Sequence, residues 1–140
     1  MKAMVLNQLV LIAENKSPLS LEDIPEPVPE GNEILIKVST CGVCHTELDE
    51  IEGRTPPPQL PMILGHQIVG RVDGGGDKVT KFKTGDRVGV AWIHSDCGGC
   101  HLCRSGAENL CVSFQATGRD APGGYAEYTT VGEDFAYNIP

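Results

Sequence analysis

Four cysteines constrain this chain more than any other feature. Cys97, Cys100 and Cys103 are each separated by two residues, and Cys111 returns after seven more. Such spacing lets one tight loop wrap a tetrahedral ion with metal–sulfur bonds of about 2.3 Å. Gly98 and Gly99 ease the backbone where it must curl. Protein thiolates fill all four positions, so the site is closed to substrate and reads as structural zinc. An iron–sulfur cluster is the alternative, because C-x2-C-x2-C also opens bacterial ferredoxin runs. There, however, the fourth cysteine follows after three residues and precedes proline; here the gap is seven and Val112 follows. A disulfide framework would need an oxidising compartment, which nothing else in the sequence supports.

The 140 residues suffice for one domain with one hydrophobic core. A net charge of −8 favours solubility and disfavours phosphate backbones and anionic lipid, so nucleic acid and membrane are not expected partners. The opening MKAMVLNQLVLIAENK carries acid and amide groups too early for a secretory segment, and no apolar run reaches membrane-spanning length. A cytoplasmic location is expected. In a reducing compartment, six cysteines point to metal ligation.

Short runs rich in Val, Ile or aromatic residues predict strands over 1–6, 34–38, 68–72, 87–93 and 125–131, with Ile34, Ile36 and Val38 on one face. Seventeen glycines and ten prolines leave little room for helices. Only His45 to Ile51 reads as helical, with Thr46 as its cap and Gly53 beyond its end. Gly74 to Gly76 reads as a turn between strands, since it lacks the last glycine of a dinucleotide fingerprint. The expected fold is mainly β, a compact, partly open barrel with short helices and a metal-binding lobe over about 95–113.

Two further candidate ligands stand apart from the lobe. Cys44 follows Gly42 in Thr40-Cys-Gly-Val-Cys-His-Thr-Glu47, and His66 follows Gly65 in Leu64-Gly-His-Gln-Ile-Val-Gly70. By residue type alone, a small buried cysteine and a satisfied structural histidine are the commoner reading. The order G-V-C-H-T-E, L-G-H-Q-I-V-G, G-D-R-V-G-V, the cysteine lobe and G-G-Y-A-E-Y resembles the zinc-containing medium-chain alcohol dehydrogenases of bacterial type, over essentially the whole chain. The resemblance implies a GroES-like catalytic domain in which Cys44 and His66 bind a second, catalytic zinc. It also implies an alcohol acidified at that zinc and hydride passed to NAD or NADP. Thr46 matches the hydroxyl that passes on the alcohol proton, and His45 a position facing the coenzyme phosphates. Trp92 matches a wall of the pocket for a small alcohol or aldehyde, although a single tryptophan serves a core equally well.

Three positions depart from the family pattern. Glu47 replaces the usual Asp, Asp49 a relay His, and Gln67 the Glu that follows the ligand His. Glu47 can still accept a hydrogen bond from His66 or from a nearby cationic group. Asp49 could take a proton through solvent, and Gln67 removes a negative charge beside the metal. The family's third ligand, usually a Cys, and its Rossmann coenzyme domain are not found in these residues. The chain by itself is therefore expected to be inactive, with Cys41 a less favoured substitute ligand. A homo-oligomer is possible for the full-length enzyme. Polyol, amino-alcohol or cinnamyl-type substrates remain open, as does a non-enzymatic zinc module; a co-chaperonin shares only the barrel.

Overall fold

Strand β3 (Glu33–Gly42) organises the molecule. Alternation turns Ile34 and Ile36 fully inward and packs Val38 against them, as a strand with one buried face requires. It pairs antiparallel with β5 (Gln67–Gly75) on one side and with β9 (Tyr128–Gly132) on the other. The sheet continues through β6 (Arg87–Val90) to β10 (Ala136–Asn138), giving the order β10-β6-β5-β3-β9 with two free edges. Two irregularities in the β3–β5 register, at Leu35/Ile36 and Val38/Thr40, bend the pair as bulges do. Ile68, Val72, Val88, Val90, Val131 and Ala136 complete the core, each Val or Ile burial contributing about 1.5–3 kcal/mol.

The computed structural model describes residues 1–140. A second sheet, β2-β1-β4, joins β1 (Lys2–Leu6), β2 (Leu19–Asp23) and β4 (Met62–Ile63). Leu6, Met62 and Leu64 from this layer pack with Ile51 at the end of α1 (His45–Ile51). Tyr125 touches this cluster and the smaller one of Ala3, Val5 and Ile63. The cysteine lobe loops out between β7 (Ile93–Ser95) and β8 (Gln115–Ala116), which pair with each other, and carries the single-turn helix α2 (His101–Arg104).

The mainly β, partly open architecture agrees with the sequence reading, and several boundaries are corrected. The run from Arg87 to Ile93 is two strands, because the chain leaves the five-stranded sheet at Ala91 and Trp92 to enter the β7–β8 ribbon. Gly74 and Gly75 lie in β5, paired with Leu35 and Ile34, and the turn comes at Asp77 and Lys78. The cap of α1 is Cys44, in extended geometry (φ −118, ψ 165), rather than Thr46. Glu47, three residues on, reaches back to the Cys44 N–H at 2.7 Å and so takes the partner role of a capping box. Helix α2 and strands β2, β4, β8 and β10 are too short or too weakly patterned to stand out in the sequence.

Candidate metal centre

The lobe gathers its four thiols without help from the rest of the chain. All four Sγ atoms of Cys97, Cys100, Cys103 and Cys111 lie within 4.8 Å of one another. The closest pairs are Cys100–Cys103 at 3.4 Å, Cys97–Cys111 at 3.5 Å and Cys97–Cys103 at 3.8 Å. Four ligands at about 2.3 Å on a tetrahedron stand about 3.8 Å apart, so the donor set fits one ion. Backbone N–H groups of Cys100, Cys103 and Ser113 point at Cys97, Cys100 and Cys111, at 3.3–3.5 Å. Donors from Gly99 and Cys100 draw the Cys97 thiol down to about 6, whereas burial and the neighbouring thiols push Cys103 up to about 12. Such crowding favours a cation that lets all four ionise.

The second pair of candidates is brought together by sheet register. Gly42 at the end of β3 pairs with Gln67 at the start of β5. Cys44, two residues past that end, and His66, one residue before that start, therefore meet at one end of the same ladder. Two glycines permit this approach. A Cβ at Gly42 would stand 2.4 Å from the Gln67 Oε1, and one at Gly65 would stand 2.7 Å from the Tyr125 ring. Gly65 also takes φ +96, a conformation other residues avoid.

One carboxylate spans both residues. Glu47 Oε2 accepts the Cys44 N–H, and Oε1 lies 2.9 Å from His66 Nδ1. The second contact is close but poorly aligned for a hydrogen bond, and neither atom has another partner. It is a close approach of a carboxylate oxygen to a ring nitrogen within a buried pair. The Thr46 hydroxyl lies 3.6 Å from the Cys44 Sγ. His45 is exposed, with Nε2 3.7 Å from Asp49 Oδ1, and Asp49 is itself engaged by Arg54, which also binds Glu52. Asp49 is thus an ion-paired carboxylate on the helix surface. Trp92 meets the His66 ring edge-on at 4.9 Å and 82°. The two residues line a cleft of about 500 Å³ with Gln67, Ile68, Val69, Val90 and Ala91. A larger recess of about 650 Å³ lies against the lobe and contains neither Cys44 nor His66; its lining of Glu33, His94, Asp96 and Asp134 is polar. Of the two, only the smaller cleft includes His66. Cys41 packs against the core of the main sheet, where burial pushes its thiol up to about 11.

Residue patterns did not single out the groups behind this cleft. Glu50 is fully buried, and neither of its carboxylate oxygens has a partner. Burial first, then the nearby Glu47, pushes its carboxyl up to about 8, opposed by Arg119. Its position three residues after Glu47 places both on one helix face, a signal available in the sequence. Arg119, Asp120 and Thr117 come from the turn after β8, where nothing in the local pattern marks them.

Residues 30–140 match the model of the alcohol dehydrogenase GroES-like domain. The chain is 42% identical over 141 residues to an alcohol dehydrogenase of Geobacillus stearothermophilus, covering all of this chain and 40% of that relative. A solved NAD-dependent alcohol dehydrogenase superposes with a TM-score of 0.91 at 30% identity, over 100% of this chain and 40% of that one. A cobalt- and zinc-bound thermostable alcohol dehydrogenase from Pyrobaculum aerophilum gives 0.89 at 29% identity, over 99% and 41%. The chain thus spans about 40% of the length of the proteins it resembles.

Proposed function

This chain belongs to the alcohol dehydrogenase GroES-like domain family, and on that premise we propose that it is the catalytic-domain portion of a zinc-dependent alcohol dehydrogenase. The reaction is oxidation of a small alcohol to an aldehyde or ketone with NAD or NADP. The observation that carries the reading is the Glu47 bridge, which ties Cys44 and His66, remote in sequence, into one site beside an open cleft. Zinc held by these two residues and a further ligand supplies Lewis acidity that makes an alcohol hydroxyl easier to ionise.

The remaining roles fall to the chain's own groups. Glu47 fixes the His66 ring and the backbone at Cys44. The Thr46 hydroxyl, 3.6 Å from the Cys44 sulfur, would accept the alcohol proton while releasing its own to solvent. His45 stands exposed on the first turn of α1, where coenzyme phosphate can reach it. Asp49, already paired with Arg54, is poorly placed to relay protons and instead steadies this helix surface. Trp92 walls the cleft. The lobe carries a structural zinc and no chemistry. We place the enzyme in the cytoplasm, where its six free cysteines stay reduced; no helix is long and apolar enough to cross a membrane.

The test uses the chain in its full natural length. Coenzyme reduction with primary alcohols and two zinc ions per chain are expected. One ion per chain, all of it lost with Cys103→Ser, together with no alcohol oxidation, would instead support a non-enzymatic zinc module.

A further inference from the structure

Trp92 is held from several sides. Its ring meets His66 at its edge and lies 6.3 Å from Phe114. Its carbonyl accepts the Thr117 N–H at 2.9 Å. The Arg119 guanidinium stands 5.6 Å from the ring centre, within cation–π range. Arg119 does not line the cleft, so any effect it has there passes through the indole.

The guanidinium is itself anchored. Nε and Nη2 both donate to Asp120 Oδ2, at 3.1 and 2.7 Å, and the same oxygen accepts the Ala116 N–H at 2.7 Å. The turn carrying these residues is seated on the segment that leads into His66. A Cβ at Gly118, where φ is +83, would stand 2.7 Å from the Gly65 nitrogen. Arg119 therefore connects a rigid turn to a ring that forms one wall of the cleft.

We propose that Arg119 is a positioning residue that pins the Trp92 indole, keeps the cleft narrow beside His66, and thereby selects small primary alcohols over bulky ones. The proposal rests on the cleft being the substrate site. Removing the cation frees the ring to sample other rotamers, and the space it vacates accepts a larger substituent.

Trp92 is the single tryptophan of these 140 residues, so its fluorescence reports the clamp directly, with Trp92→Phe as the blank for the full-length protein. Arg119→Ala and Arg119→Met should speed the anisotropy decay of Trp92, while Arg119→Lys, which keeps a cation, should fall between them and wild type. In the full-length enzyme, the ratio of kcat/KM for benzyl alcohol to that for ethanol should rise about tenfold in Arg119→Ala. The change should come through KM, with kcat nearly constant, because Arg119 does not touch the reacting atoms. Should the alanine variant fail to fold, the methionine and lysine variants make the same comparison. Unchanged anisotropy in both Ala and Met variants overturns the clamp. A looser ring with unchanged selectivity overturns the proposal and leaves the assigned activity standing. A wild-type enzyme that oxidises no alcohol defeats the substrate-site reading, and the proposal with it.

Discussion

The cysteine lobe and the proposed Cys44–His66 site are assembled in opposite ways. The lobe draws all four donors from residues 97–111, and its thiols converge within 4.8 Å through loop geometry alone. The open site draws one donor from the end of β3 and one from the approach to β5, and exists only because Gly42 pairs with Gln67. The lobe is complete and closed. The proposed site has two donors, is bordered by a cleft and is spanned by a buried carboxylate. A local site stabilises; a long-range site with an open side can react.

The sharpest way to break this contrast is to remove one donor from each side. In the full-length enzyme, Cys44→Ala should reduce kcat/KM at least a thousandfold, several kcal/mol of lost transition-state stabilisation, while Tm stays close to wild type. Retained turnover would take Cys44 out of the mechanism. Cys103→Ser should do the reverse, releasing one zinc and lowering stability by about 4 kcal/mol as followed by denaturant unfolding. Equal stability and metal content would end the structural assignment of the lobe.

Next comes the approach of the two segments at the open site. Gly65→Ala meets both a positive φ and the Tyr125 ring, so it should cost about 2–3 kcal/mol and weaken metal binding at the open site while the lobe keeps its ion. A wild-type melting curve would show that the close approach is dispensable. Glu47→Gln leaves the packing nearly intact but removes the charge facing His66. Metal affinity at the open site should fall about 10–100-fold by competition with a chelator, with no change at the lobe.

The smallest effect is a pH dependence. Glu50 is raised to about 8 in the folded state from an ordinary value near 4.5, chiefly by burial and then by Glu47. Between those values the folded chain holds a proton that the unfolded chain has lost, so stability falls as pH rises across the window and levels off above it. Glu50→Gln removes this slope. Its Tm relative to wild type should climb steadily between pH 5 and pH 8, and a constant difference across that range would mean that Glu50 does not hold the proton.

How much was legible in the sequence follows the same division. The lobe could be read from spacing because its donors are local, and the inward face of β3 from the alternation of Ile34, Ile36 and Val38. Helix α1 could be read as well, but its cap could not. Thr46 has the usual capping chemistry, yet Cys44 holds the position because Glu47 is long enough to reach back to its N–H. The break at Ala91 and Trp92 was hidden within a continuous apolar run, since residue type does not reveal which sheet a strand joins.

By itself, the sequence determined the four-thiolate site, the β-rich character and, through the order of its motifs, the family. Those properties depend on neighbours along the chain or on residue types taken in order. Only the tertiary structure decided that Glu47 touches both Cys44 and His66, that Arg54 occupies Asp49, and that Arg119 lies over Trp92. The first and last of these join segments set side by side by strand register and by the seating of the turn at Gly118 on Gly65. The Arg54 pair depends on which way two flexible side chains turn. Spacing along a chain carries no information about either.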